Sequence, residues 1–230
     1  MRTIGLIGGM SAESTLIYYR LINEGVRERL RGHHSAELVL WSVDFAAIES
    51  LQRAGDWDKA GAELAAAARK LETVGAKAIV LCTNTMHVVA PAIAAAVRIP
   101  FLHIADATGA ALKAAGCRRP LLLATRYTME QDFYKGHLST HHGIEAIVPD
   151  AEGRTTVHDI IYNELVHGVV SPASRARYLK VVEQGAKAGA DSVIFGCTEI
   201  GMLLSQSDVA LPCFDTTALH ATAAVEFALA

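Results

Sequence analysis

Long apolar runs are missing from this sequence. Although 51% of its 230 residues are hydrophobic, no uninterrupted stretch approaches the roughly 20 residues of a membrane-crossing helix. Charge is sparse as well. Only 20% of the residues are charged and the net charge is −3, so neither nucleic acid nor an anionic membrane is expected as a main partner. Cysteine is scarce and scattered. Cys82, Cys117, Cys197 and Cys213 form no C-x-x-C pair and no dense framework. The opening "MRTIGLIGGMSAES" reaches Glu13 with no longer apolar region behind it, so it is expected as a first β-strand rather than an export leader. The thiols are then expected reduced, in the cytoplasm. Metal spacing is also lacking. His137 and His141 are four apart, but the segment runs into His142-Gly143 without a clear third ligand, and no metal is expected. "GLIGGMS" is not G-x-G-x-x-G and has no acidic residue at the expected offset, which argues against a dinucleotide.

What is present is a buried chain of one large or two small domains. Short β-branched or Leu-rich runs alternate with helical patterns. Strands are predicted at residues 3–7, 37–43, 77–81 and 101–103, then at 120–124, 144–148, 192–195 and 213–214. Ser11 is the expected cap of a helix reaching about Leu30, with Glu13 in its first turn. Trp57, Ala60, Leu64, Ala67, Ala68 and Leu71 form a helical stripe within 57–74. Gly75, Gly116, Gly143, Gly168 and Gly189 read as helix C-terminal caps. Such alternation implies an α/β fold with mainly parallel sheets.

The two strand series resemble each other. "GAKAIVLCTNT" (75–85) matches "GADSVIFGCTE" (189–199), and "IPFLHIADAT" (99–108) matches "LPCFDTTALH" (211–220). "RPLLLATRYT" (119–128) mirrors "RTIGLIGGMS" (2–11). An internal duplication follows, with the chain crossing over near 99 and returning near 209. The expected domains are 1–98 plus 210–230, and 99–209.

Two greasy segments in this pattern stop abruptly at small polar residues: Cys82-Thr83-Asn84-Thr85 and Cys197-Thr198-Glu199. Ligands of parallel α/β sheets sit beyond the strands' carboxyl ends, where these residues fall, as do Gly8–Ser11 and Thr125–Thr128. Which residue of the first segment faces the chemistry is a question of register. Counted from Gly75, Cys82 is seven residues on and Thr83 eight; counted from Gly189, Cys197 is eight on. Thr83 therefore pairs with Cys197, and Cys82, on the opposite strand face, is a core residue in this register.

"GLIGGMS" (5–11), "SVDF" (42–45), "CTNTMH" (82–87), "ATRYTMEQDFY" (124–134) and "FGCTEIG" (195–201) together resemble the aspartate/glutamate racemase family over essentially the whole chain. That resemblance implies two pseudo-symmetric α/β domains facing each other across an active-site cleft, no pyridoxal phosphate or other cofactor, and a small amino-acid substrate. A homodimer is left open. The family's second cysteine matches Cys197. Its first, in a Cys-Asn-Thr motif, falls on Thr83 when Asn84-Thr85 is aligned, and Cys82 lies one position early.

Racemisation without a cofactor needs a base on one face of the α-carbon and an acid on the other. A thiolate lowered in pKa near a helix N-terminus serves as base, and a threonine hydroxyl is far poorer. The resemblance thus implies Cys197 as the base for an L-enantiomer, with Thr83 returning a proton to the opposite face. Asn84 and Thr85, with nearby backbone N–H groups, are expected on the α-carboxylate, and Thr198 mirrors them. By resemblance Met10, Gln52, Thr125, Tyr127 and Thr128 line the pocket. Gln52 and Arg53 fall where related racemases hold a side-chain carboxylate. A lysine used by some aspartate racemases has no equivalent at Val166 or His167. Glutamate, aspartate or a homoserine-like substrate all fit. Still open are Cys82 as a real base in a broad-specificity racemase, a decarboxylase or isomerase using Cys197 alone, and a non-catalytic amino-acid-binding protein. His87 and Glu199 are candidates for tuning the site or for purely structural roles.

Overall fold

A computed structural model describes all 230 residues, and its contacts divide them into two units: Met1–Ile104 with His220–Ala230, and Ala105–Leu219. The first unit contains β1 (Ile4–Gly8), α1 (Ala12–Leu30), β2 (Leu38–Ser42), α2 (Phe45–Ala54), α3 (Trp57–Thr73), β3 (Ala78–Leu81), α4 (Ala90–Ala95) and β4 (Phe101–Leu102). Its sheet has the order β2-β1-β3-β4, every pair parallel. Helix α5 (Ile104–Ala114) carries the chain into the second unit. There follow β5 (Pro120–Ala124), α6 (Arg126–Glu130), α7 (Asp132–His137), α8 (Ala151–Asn163), α9 (Pro172–Lys187), β6 (Ser192–Gly196), α10 (Ile200–Leu203) and β7 (Cys213–Asp215). This sheet is β5-β6-β7, again parallel. Helix α11 (Thr216–Leu229) starts in the second unit and ends in the first. The architecture is α/β, with no helix long and apolar enough to cross a membrane. The division falls at Ile104 and Leu219 rather than near 99 and 209, because β4 hydrogen-bonds to β3 and β7 to β6.

The apolar runs are explained by burial on both sheet faces. β1, β3, β5 and β6 are buried at every position, whereas the edge strand β2 is half-exposed, with Leu40 and Trp41 open to solvent. Ser11 caps α1 by accepting the Ser14 N–H at 3.2 Å. The five glycines read as caps all have positive φ, from 66° to 100°. The segment 144–148 is not the expected strand. Ile147 alone bridges to Leu121, donating to the Pro120 carbonyl at 2.9 Å and accepting from Leu122 N–H at 2.8 Å. Pro149 has no N–H to extend a ladder, and Asp150 already caps α8 through the Gly153 N–H at 2.8 Å.

The sheets themselves fix the register between the two repeats. Ile79 N–H donates to the Pro100 carbonyl, and Val193 N–H donates to the Pro212 carbonyl, each at 2.8 Å. Phe101 then pairs with Ile79 and Cys213 with Val193. On the other side Leu81 pairs with Ile7, and Phe195 with Leu123. Thr83 is four residues after Ile79 (83 − 79), and Cys197 is four after Val193 (197 − 193). The ladder therefore makes Thr83 and Cys197 equivalent without reference to the Gly-Ala starts.

The first unit has one core layer on each side of its sheet. One joins Ile7, Ile79 and Leu81 to Ile48 of α2 and Leu64 and Leu71 of α3. The other joins Leu6, Val80 and Cys82 to Tyr18 and Ile22 of α1 and Ala221, Ala224 and Val225 of α11. His220 anchors this second layer. Its Nε2–H donates to the Leu102 carbonyl at 2.7 Å and its Nδ1 accepts from the Tyr18 hydroxyl at 2.9 Å. Fully buried and neutral, it is pushed down from 6.5 to about 4, mainly by burial. The unfolded chain thus binds the extra proton between those values, and stability is lost as pH falls from about 6.5 towards 4. His220→Gln keeps a donor and an acceptor but does not titrate. From pH 7 to pH 4, urea midpoints are expected to show the native chain losing about 3 kcal/mol more than the variant. Parallel profiles would contradict a neutral buried His220.

Candidate functional site

In the first unit the polar residues gather after the carboxyl ends of β1, β2 and β3. The exit from β1 is shaped by Gly9, whose φ is +92° and where an added Cβ would stand 2.3 Å from the Val43 carbonyl oxygen. Only glycine permits that approach. It leads to Met10, which is buried in the layer that includes Ile48 and Met86. Helix α2 places Gln52 beside them, 5% exposed. Its Nε2 donates to Met86 Sδ at 2.9 Å, while its Oε1 has no hydrogen-bond partner. Arg53, next in sequence, is exposed and paired with Glu49 at 2.6 Å, so Gln52 is the residue of the two that is enclosed.

Cys82 and Thr83 part ways at the end of β3. Cys82 is fully buried in the α1/α11 layer, and burial pushes its thiol far above the ordinary range. Thr83 is part-exposed. Its N–H donates to the Leu81 carbonyl at 2.8 Å. Its carbonyl accepts the Nδ1–H of buried His87 at 2.7 Å, and His87 Nε2 accepts the Ile104 N–H at 3.2 Å. The two bonds fix one neutral tautomer and clamp the turn that presents Thr83. Asn84 and Thr85 follow, both largely buried. They open a 3₁₀ turn, Thr85–Val89, ahead of α4, rather than a regular α-helix.

The second unit repeats the arrangement with different chemistry. Thr125 caps α6, accepting the Thr128 N–H at 3.5 Å, and the two hydroxyl oxygens lie 3.2 Å apart. Tyr127 stands edge-on to His158, centroids 6.5 Å apart. After β6, the Cys197 Sγ–H donates to Glu199 Oε2 at 2.9 Å, and the Thr198 hydroxyl donates to the same oxygen at 2.7 Å. Glu199 is 3% exposed. Asp215, at the end of β7, accepts the N–H groups of Thr217 at 2.8 Å and Ala218 at 3.2 Å. Burial, then the Glu199 carboxylate, then Asp215 hold the Cys197 thiol well above its ordinary pKa. The Glu199 backbone N–H at the start of α10 acts to lower it, as expected near a helix N-terminus, but is outweighed. Helix α10 is a single four-residue turn, too short to offset two carboxylates and burial.

Met10, Gln52, Thr83, Asn84 and Thr85 thus share one unit, and Thr125, Tyr127, Thr128, Cys197 and Thr198 the other. Sequence reading passed over Asp215 and Tyr178. Buried Tyr178 also feels the charge of Cys197 and Glu199, which with burial keeps its hydroxyl protonated. Asp215 had a signal, since it stands in the "LPCFD" repeat at the position of His103 in "IPFLH". Tyr178 had none, being brought there by α9 from a distant stretch of sequence.

A family model described as Asp/Glu/hydantoin racemase matches residues 7–224. Among solved structures, a candidate Asp/Glu racemase from Yersinia pestis is 52% identical, covers 100% of both chains and has a TM-score of 0.95. An aspartate racemase homologue from Pyrococcus horikoshii OT3 is 32% identical over 100% of both chains, with a TM-score of 0.88. Glutamate racemase from Francisella tularensis, solved with D-glutamate, shares the fold at 15% identity and a TM-score of 0.66, covering 98% of this chain and 80% of that one.

The contrast between the thiols has a direct test. On treatment of the native protein with iodoacetamide at pH 8, peptide mass spectrometry is expected to find Cys82 unlabelled until denaturant is added. Labelling of Cys82 in the native state would contradict its place in the core.

Proposed function

This chain belongs to the Asp/Glu/hydantoin racemase family, and from that premise we propose that it interconverts the L- and D-forms of glutamate or aspartate, with Cys197 as the base for the L-enantiomer and Thr83 as the proton donor to the opposite face. Membership makes it an isomerase that racemises amino acids without pyridoxal phosphate. The observation that carries the finer reading is the strand register, which makes Thr83 the counterpart of Cys197 and leaves Cys82 in the core.

The chemistry follows from what each position offers. The α-proton of an amino acid is weakly acidic, and with no electron sink the carbanion must be stabilised by donors on the α-carboxylate. The backbone N–H groups and side chains at Asn84, Thr85 and Thr198 are assigned that role, each preorganised donor contributing on the order of 3 kcal/mol. Met10, Thr125, Tyr127 and Thr128 complete the pocket walls. Gln52 meets the substrate side chain. As an enclosed neutral amide, with Arg53 turned outward to Glu49, it holds a carboxylate by hydrogen bonding alone. That supports activity on uncharged, homoserine-like side chains as well.

Thr83 can return a proton, directly or through a water, but its hydroxyl is a poor base. Enantiomers have equal free energy, so kcat/KM for inversion is the same in both directions. The asymmetry therefore shows in exchange with retention. In heavy water without added cofactor, NMR is expected to show α-proton exchange from L-glutamate or L-aspartate at least about 100-fold faster than from the D-forms. Equal exchange from both enantiomers would sink the asymmetric pair. No exchange from any of the four would move the reading to another substrate or to a binding protein.

A further inference from the structure

The sequence offers His137 and His141 four residues apart without a third ligand, and the fold supplies a different set. Helix α7 ends at His137 and runs into a single π turn, Leu138–His142, closed by the Gly143 N–H on the Leu138 carbonyl. Such a turn spans five residues rather than four. It brings His142, five residues after His137, to the face that His137 occupies. The Nε2–H of His137 donates to Asp106 Oδ1 at 2.6 Å, and the Nε2–H of His142 donates to the same oxygen at 3.0 Å. Asp106 stands in the first turn of α5. We propose that His137, His142 and Asp106, all of the second unit, are the ligands of a divalent transition cation of the zinc type. None of the three is among the residues assigned to racemisation, so the inference stands apart from that reading.

Three observations carry it. The donor set is two imidazole nitrogens and one carboxylate oxygen, which suits Zn²⁺, Co²⁺ or Ni²⁺ and not the oxygen-seeking Mg²⁺ or Ca²⁺. The rings are held while the carboxylate is reachable: the side chains of His137 and His142 are 18% and 16% exposed, that of Asp106 53%. Both rings are also braced. At Gly109, one turn along α5 from Asp106, an added Cβ would stand 2.3 Å from His142 Cγ, so that ring lies directly against the helix backbone. The His141 ring stacks on His137 with centroids 4.1 Å apart, and its Nδ1–H donates to the His137 carbonyl at 3.1 Å. Such bracing fixes ligand orientation before a cation arrives. Metal bonds of about 2.0–2.2 Å in a tetrahedron set ligand atoms about 3.3 Å apart, so the oxygen must part from each nitrogen by less than about 1 Å. The half-exposed Asp106 is free to make that movement, and water fills the fourth position. Each neutral ring then turns the Nε2 lone pair to the cation, its proton passing through solvent to Nδ1.

The test is titration of the full chain, without an affinity tag, with Zn²⁺ in a calorimeter and with Co²⁺ in a spectrophotometer. One Zn²⁺ per chain is expected, with no heat from Mg²⁺. The Co²⁺ complex is expected to show visible bands without the near-ultraviolet charge-transfer band of a thiolate ligand, which excludes the four cysteines as ligands. Asp106→Asn keeps an oxygen for the two hydrogen bonds and removes the charge. Its affinity for Zn²⁺ is expected to fall at least about 10-fold, while its melting temperature without metal stays close to that of the native chain. Added Zn²⁺ is expected to raise the melting temperature of the native chain but not of the variant. Should Asp106→Asn not fold, His142→Gln decides by the same loss. His33 and His34 are adjacent and exposed, and replacing both by Gln is expected to leave affinity unchanged. No stoichiometric binding of Zn²⁺ by the native chain would overturn the proposal. So would native affinity in Asp106→Asn or His142→Gln, a thiolate band with Co²⁺, or loss of binding on replacing His33 and His34. Substrate exchange is expected to be unchanged in Asp106→Asn, and its absence from the native chain would count against the racemase reading and not against this site.

Discussion

A backbone hydrogen bond made twice sets the rest of this molecule in place: Ile79 N–H to the Pro100 carbonyl and Val193 N–H to the Pro212 carbonyl, both at 2.8 Å. In a parallel sheet buried on both faces, a slip of one residue would turn every side chain to the wrong face and leave ladder groups unpaired. Each proline precedes a short strand and pins it to the centre of its sheet. Everything downstream inherits that register. It sends Cys82 into the layer against α1 and α11 and frees Thr83 at the strand end, and in the second sheet it sets Cys197 in the matching place.

From equivalent positions the two units then diverge in chemistry. Thr83 is held through its backbone, its carbonyl clamped by the neutral ring of His87. Cys197 is held through its side chain, its proton directed at Glu199. One turn presents a hydroxyl, the other a thiol hydrogen-bonded to a carboxylate. Burial and the nearby carboxylates of Glu199 and Asp215 set the character of the second, holding the thiol well above its ordinary pKa.

Local features were readable in the sequence for local reasons. Buried strands announce themselves as apolar runs, and Ser11 and the capping glycines act on their own helix ends. The equivalence of Thr83, rather than Cys82, with Cys197 in the strand register was readable because a repeat carries its register in simple counting. Residues 144–148 misled because β-branched composition says nothing of partners, and there Pro149 and the Asp150 cap cut the strand to a single bridge. The state of the Cys197 thiol was not readable either. A helix start after a cysteine suggests a lowered pKa. The actual balance depends on the length of α10, on the rotamer of Glu199 and on Asp215, which comes from β7. Those are tertiary facts with no local signature. Gln52 was placed by resemblance, but its unpaired oxygen and its contact with Met86 belong to packing.

The measurement that bears most directly on the account is α-proton exchange from D-glutamate by Thr83→Cys, with Cys82→Ala alongside. Position 83 is the register counterpart of Cys197, so if the proposed pair is right a thiol there is expected to raise exchange from the D-enantiomer at least about 100-fold, with Cys82→Ala leaving exchange as in the native chain. Unchanged D-exchange in Thr83→Cys, together with loss of exchange in Cys82→Ala, would contradict the account and return Cys82 to the chemistry.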